Sequence, residues 1–182
     1  MDAPTERTEL LNPDPREIAA FIQSVAESPW PSADDQFSSY FEDLGCELGR
    51  STHNDDDAAL GVTRGSFVTR RFTTKNSSWV ALDGSLFSLN LFAYEDAADL
   101  VAAVDAGFDR VRNHLVSMYG QPFDEQLSPQ ANRSAAWLVR ETVIELYAHV
   151  SLAPALQVGL GHKAHNSVYE HRLLQVPDKQ KP

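Results

Sequence analysis

Apolar residues recur along this chain with two periods, and the switches between them lay out the elements. Ile18, Phe21, Ile22 and Val25 repeat at three- and four-residue steps, the spacing of one helical stripe. Asp14 is placed to cap that helix, Pro15 suits its first turn, and Glu17 completes an Asp-x-x-Glu start. Ser28-Pro29-Trp30-Pro31 ends it, because proline cannot continue a helix and restricts the residue before it. A second helix is predicted from a Ser32 cap, with Asp34 and Asp35 in its first turn, where the helix dipole favours acids. Phe37, Tyr40, Phe41 and Leu44 form its apolar face and Gly45 stops it. The longest helical pattern covers 95–119, through Ala97, Leu100, Val101, Val104, Phe108, Val111, Leu115 and Met118, with Gly120 and Pro122 closing it.

Between and after the helices the period falls to two. Strands are predicted at 66–74, 78–82 and 85–93, then at 134–140, 142–151 and 155–161, and 46–50 could form a short one. Asp83-Gly84, between Trp79-Val80-Ala81-Leu82 and Ser85-Leu86-Phe87, is a strong hairpin signal. Phe87, Leu89 and Leu91 alternate with Ser88 and Asn90, as Ile144, Leu146, Ala148, Val150 and Leu152 do with polar neighbours. Strands joined by short turns favour an antiparallel sheet. The predicted fold is α+β, with an antiparallel sheet of about five to six strands, the long amphipathic helix packed on one face, and two N-terminal helices. One domain over 1–182 is expected, with a polar loop through Pro129 and flexible stretches at 1–12 and 177–182.

Composition changes this picture little. An apolar fraction of 42% and a charged fraction of 23% are those of a globular protein. No apolar run reaches the roughly 20 residues that span a bilayer, so no membrane association is expected. The first residues lack a basic segment followed by an apolar one, so a cytoplasmic location is expected. Cys46, a single cysteine, reads as a small buried hydrophobe. Charge is more informative. Residues 1–60 hold 14 acids and 3 bases, a sum of −11, whereas residues 61–182 hold 12 of each. A nucleic-acid binder would present a basic face, so no nucleic acid is expected among the partners.

Candidate chemistry is sparse. His162 and His165, with His171 and Glu170 nearby, could contribute to a metal site, but zinc needs a set of ligands that this spacing does not supply. His53-Asn54-Asp55-Asp56-Asp57 reads as an exposed loop, since a calcium loop needs acids at alternate positions and a later glutamate. Gly159-Leu160-Gly161 lacks the third glycine and the helix of a dinucleotide fingerprint. Gly61-Val62-Thr63-Arg64-Gly65 imitates a nucleophile elbow but leads into a strand. Glu141 and Glu145 share a face on a strand without announcing a pocket. The expectation is a protein with no catalytic residues, no cofactor and no metal.

What remains is the acidic third of the chain. Asp34, Asp35, Glu42, Asp43 and Glu47 gather around the second helix, and Asp55, Asp56 and Asp57 lie just beyond; together they are the predicted partner-binding residues. Three segments also resemble small bacterial proteins encoded in polymorphic-toxin and secretion loci. They are Trp30-Pro31, Asp35-x-x-x-x-Tyr40-Phe41-Glu42-Asp43-Leu44-Gly45, and the run from Trp137 to Leu146, which is similar to the closing β-hairpins of several immunity-protein families. The resemblance implies an antitoxin-like role: a cytosolic protein that binds a secreted toxin domain and blocks its active site, the carboxylates imitating substrate phosphates where that toxin is a nuclease. Two other readings stay open. One is a chaperone or adaptor for a secreted protein, as monomer or homodimer; the other is a small-ligand-binding domain with a cavity between helix and sheet.

Overall fold

The first apolar stripe folds as α1, Pro15–Glu27, whose Ile18, Phe21, Ile22 and Val25 have no exposed surface. A computed structural model describes residues 11–52, 54–128, 132–151 and 153–175. The Asp14 carboxylate caps α1 by accepting from the Arg16 N–H at 2.9 Å, so the cap reaches the second helical residue and not Glu17. Ser32 is not a helix cap. Its own N–H is taken by the Gln36 side chain, and the chain enters through a 3-10 turn, Asp34–Gln36, before α2, Phe37–Asp43. Gly45 ends α2 with a positive φ, as its sequence position requires.

Eight strands form one antiparallel sheet, more than the sequence pattern predicted. They are β1 (Cys46–Thr52), β2 (Val62–Thr69), β3 (Ser77–Leu82), β4 (Ser85–Ala93), β5 (Asp124–Gln126), β6 (Arg133–Val139), β7 (Thr142–His149) and β8 (Ala155–His162). The spatial order β1-β2-β3-β4-β8-β7-β6-β5 makes two four-strand meanders that meet where β4 pairs β8. The segment expected at 66–74 is β2, shifted towards the N-terminus so that Val62 pairs Leu82. The strand missed altogether, β5, is three polar residues against β6, too short and too polar for periodicity to reveal.

The two meanders are joined by α4, Leu100–Tyr119, which begins five residues later than the helical pattern. Asp99 decides that start, its carboxylate accepting from the Ala102 N–H at 3.1 Å. Val104, Phe108, Val111 and Leu115 are fully buried, whereas Val101 and Met118 reach solvent. Together α1, α2 and α4 cover the sheet face that carries Phe67, Trp79, Leu89, Leu91, Trp137, Ile144, Leu146 and Val158. Cys46 belongs to this core, and burial pushes its thiol up to about 11, so it rests as a thiol and not a thiolate.

The other face is partly covered too, which the sequence did not predict. The residues after the last predicted strand, to which the sequence pattern assigns no element, fold as α5, Lys163–Gln175. It lies on a second, small apolar cluster of Val62, Val80, Leu82 and Phe87, with Tyr169 stacked obliquely on Phe87 at 5.4 Å. Phe87 reaches that face through a bulge: Val80 pairs Ser88 and Ala81 pairs Leu86, so Phe87 is the extra residue and leaves the alternation with Leu89 and Leu91. The turn Asp83–Gly84 has positive φ at both positions, the geometry that a two-residue hairpin favours.

Asp55–Ala59 corrects the expected exposed loop. It is a short helix, α3, capped by Asn54, whose side-chain oxygen accepts from the Asp57 N–H at 2.7 Å. His53, Pro129, Leu152 and the stretches 1–10 and 176–182 lie outside the described residues. No helix among the described residues is long and apolar enough to cross a membrane.

Candidate functional site

Along β1 and α2 the chain sets out its acids in a strip, not a single patch. The 3-10 turn carries Asp34 towards the β3–β4 hairpin tip, where its carboxylate lies about 3.5 Å from the place a side chain on Gly84 would occupy. Glu42 and Asp43 close α2 at the other end of the strip. Glu47 pairs with Val68 and Thr52 with Arg64 across β1 and β2, so the Glu47 end and the α3 end are five residues, roughly 16 Å, apart. Asp57 and Glu47, both among the predicted partner-binding acids, are engaged with bases. Asp57 holds the Arg64 guanidinium at 2.9 Å, and Glu47 stands 3.7 Å from Arg70. Asp34, Asp35, Glu42, Asp43 and Asp55 make no ion pair with a described base.

The histidines divide. His162 ends β8 and His165 opens α5, with ring centroids 4.4 Å apart, and the His165 N–H donates to His162 Nδ1 at 3.3 Å. His171 lies elsewhere on α5 and meets Gln175, while Glu170 faces a different hollow. Among the described residues no three His, Cys, Asp or Glu side chains are placed to hold a metal ion. Glu141, which sits in the β6–β7 turn and not on a strand, approaches His162 at 3.4 Å, and Trp30 meets the same ring edge-on. Trp30 is fixed in turn by donating to the buried Thr142 hydroxyl at 2.9 Å.

This corner makes stability depend on pH. Burial holds the His165 imidazole below its ordinary range, the neighbouring His162 adds to the effect, and Glu141 opposes it. Its Nδ1 is buried with no hydrogen-bond partner among the described residues. An imidazole whose folded value is lowered takes up its proton first in the unfolded chain. Stability is therefore complete above the unfolded value, about 6.5, and is lost as pH falls through it. The drop in melting temperature between pH 7.5 and 5.5 should be smaller in His165→Gln than in the native chain. Parallel curves would remove His165 from this role.

A different site emerges on the outer sheet face, where α5 crosses β8. Arg64, Asn90, Glu145, Asn166, Tyr169 and Glu170 ring a pocket of about 290 Å³ whose floor is the bare backbone of Gly159 and Gly161. The two glycines serve different ends. A side chain on Gly161 would meet the Asn166 amide nitrogen at 2.2 Å, so its absence lets α5 sit directly on the strand. At Gly159 a Cβ would just fit, in contact with Glu145 Oε2 at 3.4 Å and Asn90 Oδ1 at 3.5 Å. A chain of polar contacts continues along the same face. Asn90 accepts from Gln157, Gln157 meets His149 at 2.7 Å, and the Tyr147 hydroxyl donates to Glu145 Oε1 at 3.1 Å. A larger hollow of about 540 Å³ lies near the other end of β4, between Pro13, Thr73 to Lys75 and the segment from Tyr94 to Asp99.

No protein-family model matches the chain, and no curated protein matches it. Among solved structures it is similar to a DUF4309 family protein, YjgB, from Bacillus subtilis subsp. subtilis str. 168. The two share 11% sequence identity with a TM-score of 0.38, over 81% of this chain and 99% of that one. At that level nothing about function passes from one to the other.

The pocket residues left only faint marks in the sequence. Gly159 and Gly161 stand out as paired glycines inside a strand, where glycine weakens the strand unless something must approach the backbone. Arg64 and Glu145 appeared within patterns that suggest a nucleophile elbow and paired carboxylates. The signal linking them was the helix over 163–175, which has no amphipathic stripe to reveal it.

Proposed function

We propose that this protein is a non-catalytic binding protein of the immunity type, engaging a basic protein partner along the acidic strip of the 3-10 turn and α2. The observation that carries this reading is the uneven pairing of charge. Asp83, Asp96, Asp105, Asp109 and Glu125 each meet a lysine or arginine, in the part of the chain where acids and bases balance. Asp34, Asp35, Glu42 and Asp43 meet none among the described residues. Four exposed like charges within residues 34–43 repel one another, and a basic surface relieves that repulsion on docking while steering the approach. The strip also borders β1, a free sheet edge, where acids discourage strand pairing with a second copy and leave the surface to a partner of opposite charge.

The test needs a toxin domain encoded in a neighbouring gene, and a neighbourhood without one would remove the immunity reading. Replacing Asp34, Asp35 and Asp43 by Asn and Glu42 by Gln together should slow association about 10–100-fold at low ionic strength and flatten its dependence on salt. The variant should keep the far-ultraviolet circular dichroism of the native chain, because none of the four side chains is buried. Association that ignores salt and survives the fourfold change would remove the strip from the interface.

A further inference from the structure

We infer that the outer-face pocket between α5 and β8 binds a small alkyl cation, an ammonium or guanidinium group on a short aliphatic stem. The reading is independent of the acidic strip, which lies on other elements.

The charge count inside the pocket points to a cation. Arg64 is the one base of the lining, and its guanidinium is already bound, Nε to Asp57 at 2.9 Å and an amino group to the Tyr169 hydroxyl at 3.0 Å. Asp57 lies outside the lining, so Arg64 is neutralised from behind. Glu145 and Glu170 then remain as two carboxylates that make no ion pair with a described base. The acceptor oxygens also point to a donor-rich ligand, since Asn90 Oδ1 keeps a second lone pair beyond the one that Gln157 occupies. Glu145 Oε1 takes the Tyr147 proton, which leaves Oε2, and Oε2 and Asn90 Oδ1 flank Gly159 from the two neighbouring strands, 3.4 and 3.5 Å from where its Cβ would stand. A carboxylate and an amide oxygen converging on one volume accept hydrogen bonds and offer none, which suits N–H donors on a positive group. The Phe87 and Tyr169 rings supply the apolar wall that a methylene stem would cover. A volume of about 290 Å³ confines the ligand to a few carbons and one or two charged ends.

Agmatine is the probe, since it carries a guanidinium and an ammonium on a four-carbon stem. Titration followed by amide NMR shifts should saturate with a dissociation constant on the order of 0.1–1 mM, with the shifts on β8 and α5. Glu145→Gln should weaken binding about 10-fold or more, since it removes a charge-assisted acceptor. Gly159→Ala is the sharper variant. The new methyl stands in ordinary contact, 3.4 Å or more from its neighbours, and the φ there is not positive, so the strand should keep its fold while the methyl covers the backbone floor between the two oxygens. The fourfold change in the acidic strip should leave agmatine binding unaltered, which separates the two sites. A blocked tripeptide, acetyl-Gly-Arg-Gly-amide, distinguishes sources. Its binding at the same residues assigns the pocket to an arginine of a protein partner, and binding of agmatine alone assigns it to a free small amine. No saturation of either probe by about 10 mM, or full affinity retained in both Glu145→Gln and Gly159→Ala, would overturn the inference.

Discussion

Phe108→Ala should unfold at markedly lower urea, with a loss of about 3–5 kcal/mol and an unchanged dependence on denaturant. Phe108 sits mid-way along α4 with no exposed surface, among the core residues that tie both meanders to the helices. Its ring has a second partner. The Arg133 guanidinium carbon stands 4.6 Å above it, held there by Asp105 and Asp109 at 2.9 and 2.8 Å. Alanine would leave a cavity that the sheet cannot close, because α4 is pinned over β6 by those ion pairs on either side of Phe108. It would also remove the ring beneath the cation, a contact of about 0.5–1 kcal/mol at a partly exposed site. Phe108→Leu, which keeps most of the volume, should lose much less. A loss below about 1.5 kcal/mol in Phe108→Ala would mean that α4 settles onto the sheet and that the ion pairs do not fix its height.

Such core positions were the legible part of the sequence. Ile18, Phe21, Ile22 and Val25 announce α1 because a stripe at helical spacing has no other efficient way to be buried, and the same holds for Val104, Phe108, Val111 and Leu115. Asp83-Gly84 announces a hairpin because both its residues tolerate positive φ. Three kinds of feature were illegible. The helix α5 carries polar residues on every side and rests on the sheet through Tyr169, Asn166 and the reach of Arg172 to Asp83, so it has no periodicity to find. The shift of Phe87 to the outer face depends on a bulge, a choice between registers that alternation alone cannot express. The start of α4 at Leu100 follows from the Asp99 carboxylate, which satisfies the Ala102 N–H, whereas Glu95 and Asp96 are turned to Asn76 and Lys75. The candidate site suffers most from these gaps. Its acidic strip follows from charge counting, whereas the pocket needs α5, the β4–β8 register and two glycines at once.

Gly107→Ala should change sign with its background, being destabilising in the native chain and stabilising once Tyr94 is cut back to alanine. Gly107 lies inside α4, where glycine is about 1 kcal/mol less favourable than alanine, so helix propensity alone would reward the substitution. Tyr94 prevents this. A methyl on Gly107 would lie 2.1 Å from the Tyr94 ring edge, and the ring cannot step aside. It is 3% exposed, its hydroxyl donates to the Pro13 carbonyl at 2.9 Å, and its backbone is already left-handed with φ of 66°. Burial raises the phenol's pKa above its ordinary value, which keeps that proton available to the carbonyl across the accessible pH range. Forcing a methyl into this contact should cost about 1–3 kcal/mol, the usual range for overpacking. In a Tyr94→Ala background, itself weaker by about 3–5 kcal/mol, the clash is gone and Gly107→Ala should recover the propensity gain of about 1 kcal/mol. Four urea curves measure the cycle, and the coupling is the difference between the two Gly107→Ala steps. A coupling near zero would show that the ring yields easily. α4 would then be held by its apolar stripe and its ion pairs to Arg133, and not by the closeness of its backbone to Tyr94.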